Sequence, residues 1–279
     1  MSPRPELRIA VLADVHGNLA AFEACVAAVD ALGVDKVIVA GDLVNGAPDS
    51  KACWDLARQR GFTLLRGNHE RYLFDLHTPR ADPSWYTERF APIRWAVAQF
   101  EPHELEEMRG LPLCFRDASA PGLLVVHATP RSDNESVLPY TPNTVVDQAF
   151  GDHANERLIV RAHNHVPTAR PWREATIVTT GSVGLPLDGR PSAKFALLEL
   201  DASGRWQFEH HAVPYEVERT VARFHDSGYL AAGGAMARLM LREVATGTHQ
   251  MMPFIDFWEN QISGVSALDE AVAAFLTAY

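Results

Sequence analysis

A chain of 279 residues, 47% hydrophobic and 22% charged, carries enough apolar material for one large core, or for a core with an appendage. Its net charge of -10 repels phosphate backbones, which argues against extended nucleic-acid binding and means that an anionic substrate needs a local positive centre. Cys25, Cys53 and Cys114 lack C-x-x-C spacing and read as reduced packing residues, and no apolar run approaches the roughly 18 residues of a spanning helix. The start, "MSPRPELRIAVLADVHG", lacks a signal-peptide core, so the expected location is cytoplasmic, with no membrane partner.

In chain order, "LRIAVLA" (7–13) is a short apolar run suited to a buried strand, and "NLAAFEACVAAVDALG" (18–33) an amphipathic helix stopped by Gly33. "DKVIVAGD" (35–42) predicts a second strand, "SKACWDLARQRG" (50–61) a helix with Ser50 as N-cap, and "FTLLRGNHE" (62–70) a third strand ending in a glycine turn. This alternation predicts a parallel sheet covered by helices. Residues 82–110 read as helical, with Trp85, Tyr86, Phe90, Trp95 and Phe100 expected to pack over the sheet edge rather than to cap a substrate. "LPLCFRD" and "GLLVVHA" return to strand character, "TPNTVVDQAFG" reads as a helix and "ERLIVRAH" as a strand. "TARPW", "ATIVTTGSVG", "AKFALLELD" and "RWQFEHHAV" suggest an antiparallel second sheet. The tail, 214–279, is Ala-, Met- and Leu-rich and predicted helical with a break near "GTHQMMPF"; closing the core and forming an oligomer interface both fit it.

In open α/β sheets ligands collect at the carboxyl ends of the strands. Here the first strand ends in Asp14-Val15-His16-Gly17-Asn18, the second in Gly41-Asp42, the third in Gly67-Asn68-His69-Glu70, and later ones at His127 and at His163-Asn164-His165. A lone His-x-His would be weak evidence, but five successive ends delivering Asp, Asn or His are hard to explain as a solvated rim. In an extended segment residues i and i+2 point the same way, so Asp14 and His16 are expected to face one ion, and His163 and His165 share that spacing. Carboxylate, imidazole and amide ligands suit Mn, Fe, Zn or Ni at a two-metal site, whereas calcium prefers oxygens and structural zinc prefers thiolates. The glycines beside them allow sharp turns and leave room for a substrate.

"DVHGN", "GDLVNGAP", "RGNHE", "HATP" and "HNHVP", in this order, resemble the calcineurin-like metallophosphoesterase superfamily, and "TTGSVGLPLDG" with "AKFALLELD" is similar to its small bacterial and archaeal phosphodiesterase-like branch. The resemblance spans roughly residues 7–213. It implies an α/β fold, a four-layer αββα sandwich of two packed mixed sheets flanked by helices, with residues 1–213 as the metallophosphoesterase domain and 214–279 as a helical extension. It also implies two divalent transition-metal ions, manganese first and Fe, Zn or Ni after it. Asp14, His16 and His165 would bind one ion, and Asn68, His127 and His163 the other. Asp42 would bridge them, since a carboxylate has two oxygens and can ligate ions ~4 Å apart. His69 would lie outside the ligand shell near the leaving group, as a general acid. Ala162 and Asn164 stand where the usual last motif has Gly and Thr, and Val44-Asn45-Gly46 replaces the Asp-Arg-Gly of protein Ser/Thr phosphatases, which weakens a phosphoprotein reading.

The implied activity is hydrolysis of a phosphate ester, a phosphodiester or nucleotide ahead of a small-molecule phosphomonoester, by in-line attack of a metal-bridging hydroxide. A non-catalytic scaffold is the reading from another class, and the chemically competent residue at every ligand position speaks against it. Asn68 and His69 are expected to touch substrate, with Arg131 the best candidate among the arginines to neutralise phosphate and Arg66, Arg71 and Arg161 behind it. Asn18 fits either support of the metal centre or helix capping. His77, His103, His153, His210, His211, His225 and His249 lie away from the strand ends and receive no role. The expected partners are a small phosphorylated substrate and, through the C-terminal helices, a second copy of the chain.

Overall fold

A computed structural model describes residues 5–260 and 267–278. β1 (Leu7–Leu12), β2 (Lys36–Ala40) and β3 (Thr63–Leu65) run parallel, linked by helices α1 (Leu19–Leu32) and α2 (Ser50–Gln59). A second sheet is formed by β4 (Cys114–Phe115), β5 (Leu123–Val126), β6 (Leu158–Arg161), β7 (Thr168–Trp172) and β8 (Ala175–Thr179), in the order β4-β5-β6-β8-β7. β9 (Ala193–Leu200) and β10 (Trp206–Val213) complete the first sheet, in the order β10-β9-β1-β2-β3.

The period-two alternation of the strands builds the layers. Ile9 and Val11 of β1 and Ile38 of β2 meet Leu123 and Val125 of β5 and Val160 of β6 in one buried cluster between the sheets. The alternate residues, Ala10, Leu12 and Val39, face outward onto Phe22, Val26 and Trp54 of α1 and α2. On the other side Leu124, Val126 and Ile159 face Val146 and Phe150 of α6 (Asn143–Phe150). Two mixed sheets packed face to face and covered by helices are therefore the architecture.

Two expectations are corrected. Residues after β3 form not a glycine turn but helix α3 (Asn68–Asp75), so Asn68 and His69 open a helix. "AKFALLELD" and "RWQFEHHAV" do not belong to a separate antiparallel sheet: β9 pairs antiparallel with β1, Ile9 opposite Leu198, and β8 pairs parallel with β6. Both strands are apolar-rich runs between turns, and that pattern does not say which sheet edge they join.

The 82–110 stretch divides into two short 3-10 turns, α4 (Ala91–Val97) and α5 (Pro102–Arg109). Trp85 and Phe100 are buried, with Phe100 edge-on to Trp54, as core packing demands, whereas Tyr86 is exposed and Phe90 is half-buried. The tail forms α7 (Val217–Asp226), α8 (Tyr229–Thr246), α9 (Met251–Asn260) and α10 (Leu268–Ala278), the break after α8 falling where it was expected. Tyr229, Phe224 and Val244 pack on Ala47 and Leu185 of the main body, while Leu239, Phe254, Val272 and Phe275 form a small core of their own. No helix among the described residues is long and apolar enough to cross a membrane.

Candidate metal centre

The chain turns sharply past the strand ends. Asp14, His16, Asp42, Asn45, His163 and His165 all have positive φ, from 50° to 69°, and among the other described non-glycine residues only Arg173 does. Such backbone is uncommon outside glycine and clusters at functional sites. Asp14 and His16 are thus brought together by left-handed turns, not by the extended i, i+2 geometry expected from their spacing. The glycines give room to the protein rather than to a substrate: a Cβ on Gly67 would lie 2.2 Å from Asp42 Oδ1.

Asp14, His16 and His165 place one potential ligand atom each within 4.8 Å of one another, and so do Asp42, His127 and His163. The Asn68 amide oxygen is 3.2 Å from His127 Nε2. A third such group, His16, Asp42 and His69, links the first two and brings His69 closer in than the resemblance implied. Asp42 Oδ1 accepts a hydrogen bond from the His69 backbone N–H, leaving Oδ2 to face His127 at 3.3 Å, His16 at 3.8 Å and His69 at 3.9 Å. Asp42 is thus the carboxylate that faces both groups of potential ligands, the residue that would be shared by ions held in them.

The donor chemistry fits metal ions. His16, His127 and His165 each turn Nδ1 to a backbone carbonyl, of Asn45 at 2.7 Å, Ala40 at 2.8 Å and Leu185 at 2.7 Å. A carbonyl can only accept, so Nδ1 carries a proton and Nε2, when the ring is neutral, presents a lone pair to the cluster. His16 Nε2 and His165 Nε2 then face each other at 3.2 Å, an arrangement that repels unless a cation sits between them. Asp14 Oδ1 is buried without a hydrogen-bond partner among the described residues, which a coordinated ion would supply.

Electrostatics agree. Burial, reinforced by the neighbouring imidazoles, holds His16 down to about 4 and His165 and His163 to about 3, so all three are neutral and ligand-competent. Burial opposes charge on His127 too, but Asp42 and Asp14 outweigh it and push that group up to about 9. Burial raises Asp14 to about 8, with His127 opposing and Asp42 adding to the rise. Burial would also raise Asp42, but His127 and His69 hold it well below the usual carboxylate range. His16, His163 and His165 are thus neutral donors, while His127 holds positive charge beside the two carboxylates, the charge a bound cation would supply.

Residues that sequence reasoning passed over hold the ligand loops. Glu70 is buried and accepts from the backbone N–H groups of Asp42, Leu43 and Gly67 at 2.9, 2.7 and 2.8 Å. Ser182 Oγ donates to the Asp14 carbonyl at 2.7 Å, tying the "TTGSVG" segment to the first loop. Asn18 caps α1 by accepting from the Ala21 N–H, and its other side-chain partners are Gly184, Tyr215 and Thr220, none of them a candidate ligand. The signal available for Glu70 was its place beside His69; for Ser182 it was only the "TTGSVG" motif.

The arginines are engaged elsewhere. Arg161 is fully buried and donates to the carbonyls of Ala128 and Val137 and to the Asn164 side chain, so it anchors the His163–His165 loop and gives Asn164 a role. Arg71 holds Asp133 through both carboxylate oxygens, and Arg66 lies 3.5 Å from the same group. Arg131 pairs with Glu135 and the Gln148 carbonyl on the exposed side, and none of its partners belongs to the cluster.

The chain belongs to the calcineurin-like phosphoesterase family, whose pattern matches residues 7–175. It is 24% identical over 211 residues to the uncharacterized protein MJ0912 of Methanocaldococcus jannaschii, covering 68% of this chain and 82% of that one. A metallophosphoesterase from Sphaerobacter thermophilus has a similar fold, with a TM-score of 0.68 and 24% identity over 87% of this chain and 99% of its own. So does the hypothetical protein PH1004 of Pyrococcus horikoshii, with a TM-score of 0.71 and 19% identity over the same shares, 87% and 99%.

Proposed function

We propose that this protein hydrolyses phosphate esters with the help of two divalent metal ions, manganese foremost, and that its substrate is a phosphodiester or nucleotide. The observation that carries the reading is the pair of buried ligand groups joined through Asp42 at the carboxyl ends of the strands. Asp14, His16 and His165 would hold one ion, Asn68, His127 and His163 the other, and Asp42 both. Ions held there would act as Lewis acids toward a phosphoryl oxygen and bring the pKa of water to about 7.

His69 supplies the proton. The Asn45 side-chain amide donates to its Nδ1 at 2.9 Å, which places the ring proton on Nε2, the atom turned toward Asp42. Burial holds the ring below its ordinary pKa, so a second proton taken up from water would pass readily from that atom to the departing oxygen, a role worth roughly 10²–10⁴-fold. The diester preference follows from charge. A dianionic monoester calls for more neutralisation than a singly charged diester, and Arg66, Arg71, Arg131 and Arg161 are bound to other partners.

The test is hydrolysis of bis-p-nitrophenyl phosphate beside p-nitrophenyl phosphate by chelated protein with and without added Mn²⁺, and by Asp42→Asn. Turnover restored by metal, faster on the diester and lost in Asp42→Asn, is expected. No turnover on either ester by protein shown to hold metal would contradict the reading, and a preference for the monoester would reverse its substrate assignment.

A further inference from the structure

Beside His69 the surface opens into a pocket of about 210 Å³ whose walls come from both parts of the chain. Tyr72, Phe90 and Ile93 line it from the main body, and Met236, Met240 and Met251 from α8 and α9. At that size it suits a single ring system, being smaller than the roughly 300–1,000 Å³ of pockets for larger ligands. Thioethers and aromatic edges make a lining that favours a flat ring, through sulfur–aromatic and edge-to-face contacts. The wall is braced: the Tyr72 ring packs edge-on to Trp85 at 5.0 Å and lies 5.3 Å from His69, and Met236 is buried in the helical core.

Two polar residues of the lining stand apart from the rest. Asn45 lines the pocket while only 2% exposed, and its Oδ1 is buried with no hydrogen-bond partner among the described residues. An acceptor so placed costs free energy until a donor meets it. Arg89 also lines the pocket and makes no side-chain hydrogen bond or ion pair among the described residues, unlike the arginines nearer the metal ligands.

We propose that this pocket is the subsite for the leaving half of the substrate, and that it takes a flat aromatic group carrying a hydrogen-bond donor or a negative substituent. The proposal rests on the phosphoesterase reading above, since it is His69 that makes this side of the centre the leaving side. The C-terminal helices then complete the substrate site. A nucleoside and a phenolic or benzylic alcohol share this chemistry.

The experiment is calorimetric titration of the manganese-loaded full chain with non-hydrolysable phosphonates in matched pairs. Benzylphosphonate is set against hexylphosphonate, the phosphonate analogue of adenosine monophosphate against that of ribose phosphate, and carboxybenzylphosphonate against benzylphosphonate. At least one aromatic member should bind about tenfold tighter than its aliphatic partner, and the pair that shows it tells an aryl alcohol from a nucleoside. Met240→Trp, which fills the pocket, should remove that preference, and Met251→Glu at the start of α9 should do the same if the first variant folds poorly. The carboxylate should add about threefold, lost in Arg89→Glu, whose exposed position leaves folding untouched. Equal binding of aromatic and aliphatic members, or a preference that survives Met240→Trp and Met251→Glu, would overturn the proposal. Failure of the phosphoesterase reading shows separately, as no hydrolysis of bis-p-nitrophenyl phosphate, because the titration does not depend on turnover.

Discussion

Backbone that L-residues avoid carries Asp14, His16, Asp42, Asn45, His163 and His165, at about 1–3 kcal/mol each, so something must hold them there. Glu70 is the main brace of the Asp42 loop, because its carboxylate accepts three backbone N–H groups. Glu70→Gln would turn an amide NH₂ toward an N–H and loosen both Asp42 and the start of α3. Manganese affinity should fall about 10–100-fold with the circular-dichroism spectrum unchanged, as a titration would show. An unaltered affinity would mean that the loop holds its shape without the carboxylate. The candidate ligands were legible in the sequence because their residue types state their chemistry. Glu70 and Ser182 were not, because they act on backbone groups 28 and 168 residues away, and backbone groups leave no mark in a sequence.

Among the elements, α8 is the one whose bend sets where Met236 and Met240 meet the pocket beside His69. It bends at Gly234, whose φ of 58° and ψ of −142° lie outside helical space and in a region open almost solely to glycine. Before the bend Tyr229 donates to the Gly46 carbonyl and secures the helix to the main body; after it come Met236 and Met240. A Cβ at Gly234 would meet no atom within 4 Å, so Gly234→Ala changes backbone energy and nothing else. Urea unfolding should show a loss of about 1–3 kcal/mol, whereas unchanged stability would mean that α8 straightens at no cost. Helices with regular apolar spacing, such as α1, and buried strands such as β1 and β2 could be read locally. The bend could not, since "AAGGAMA" reads as continuous helix, and neither could α3, whose ligand-bearing start resembles a turn.

Across the whole molecule the two sheets face each other so that loops from β1, β2, β3, β5 and β6 converge, and residues as far apart as His16 and His165 come within 3.2 Å. The order of motifs made that convergence legible. The joining of β9 and β10 to the first sheet, and the docking of α7–α10 beside the site, depend on long-range packing that local pattern does not encode. The central claim is that this convergence makes a two-ion site. It is tested most directly by metal stoichiometry: chelated protein is titrated with Mn²⁺ by calorimetry, and bound metal is counted by elemental analysis after gel filtration. Two ions per chain in the wild type, with Asp42→Asn retaining fewer than one, is the predicted result. One ion or none in the wild type, or two retained without the Asp42 carboxylate, would contradict it.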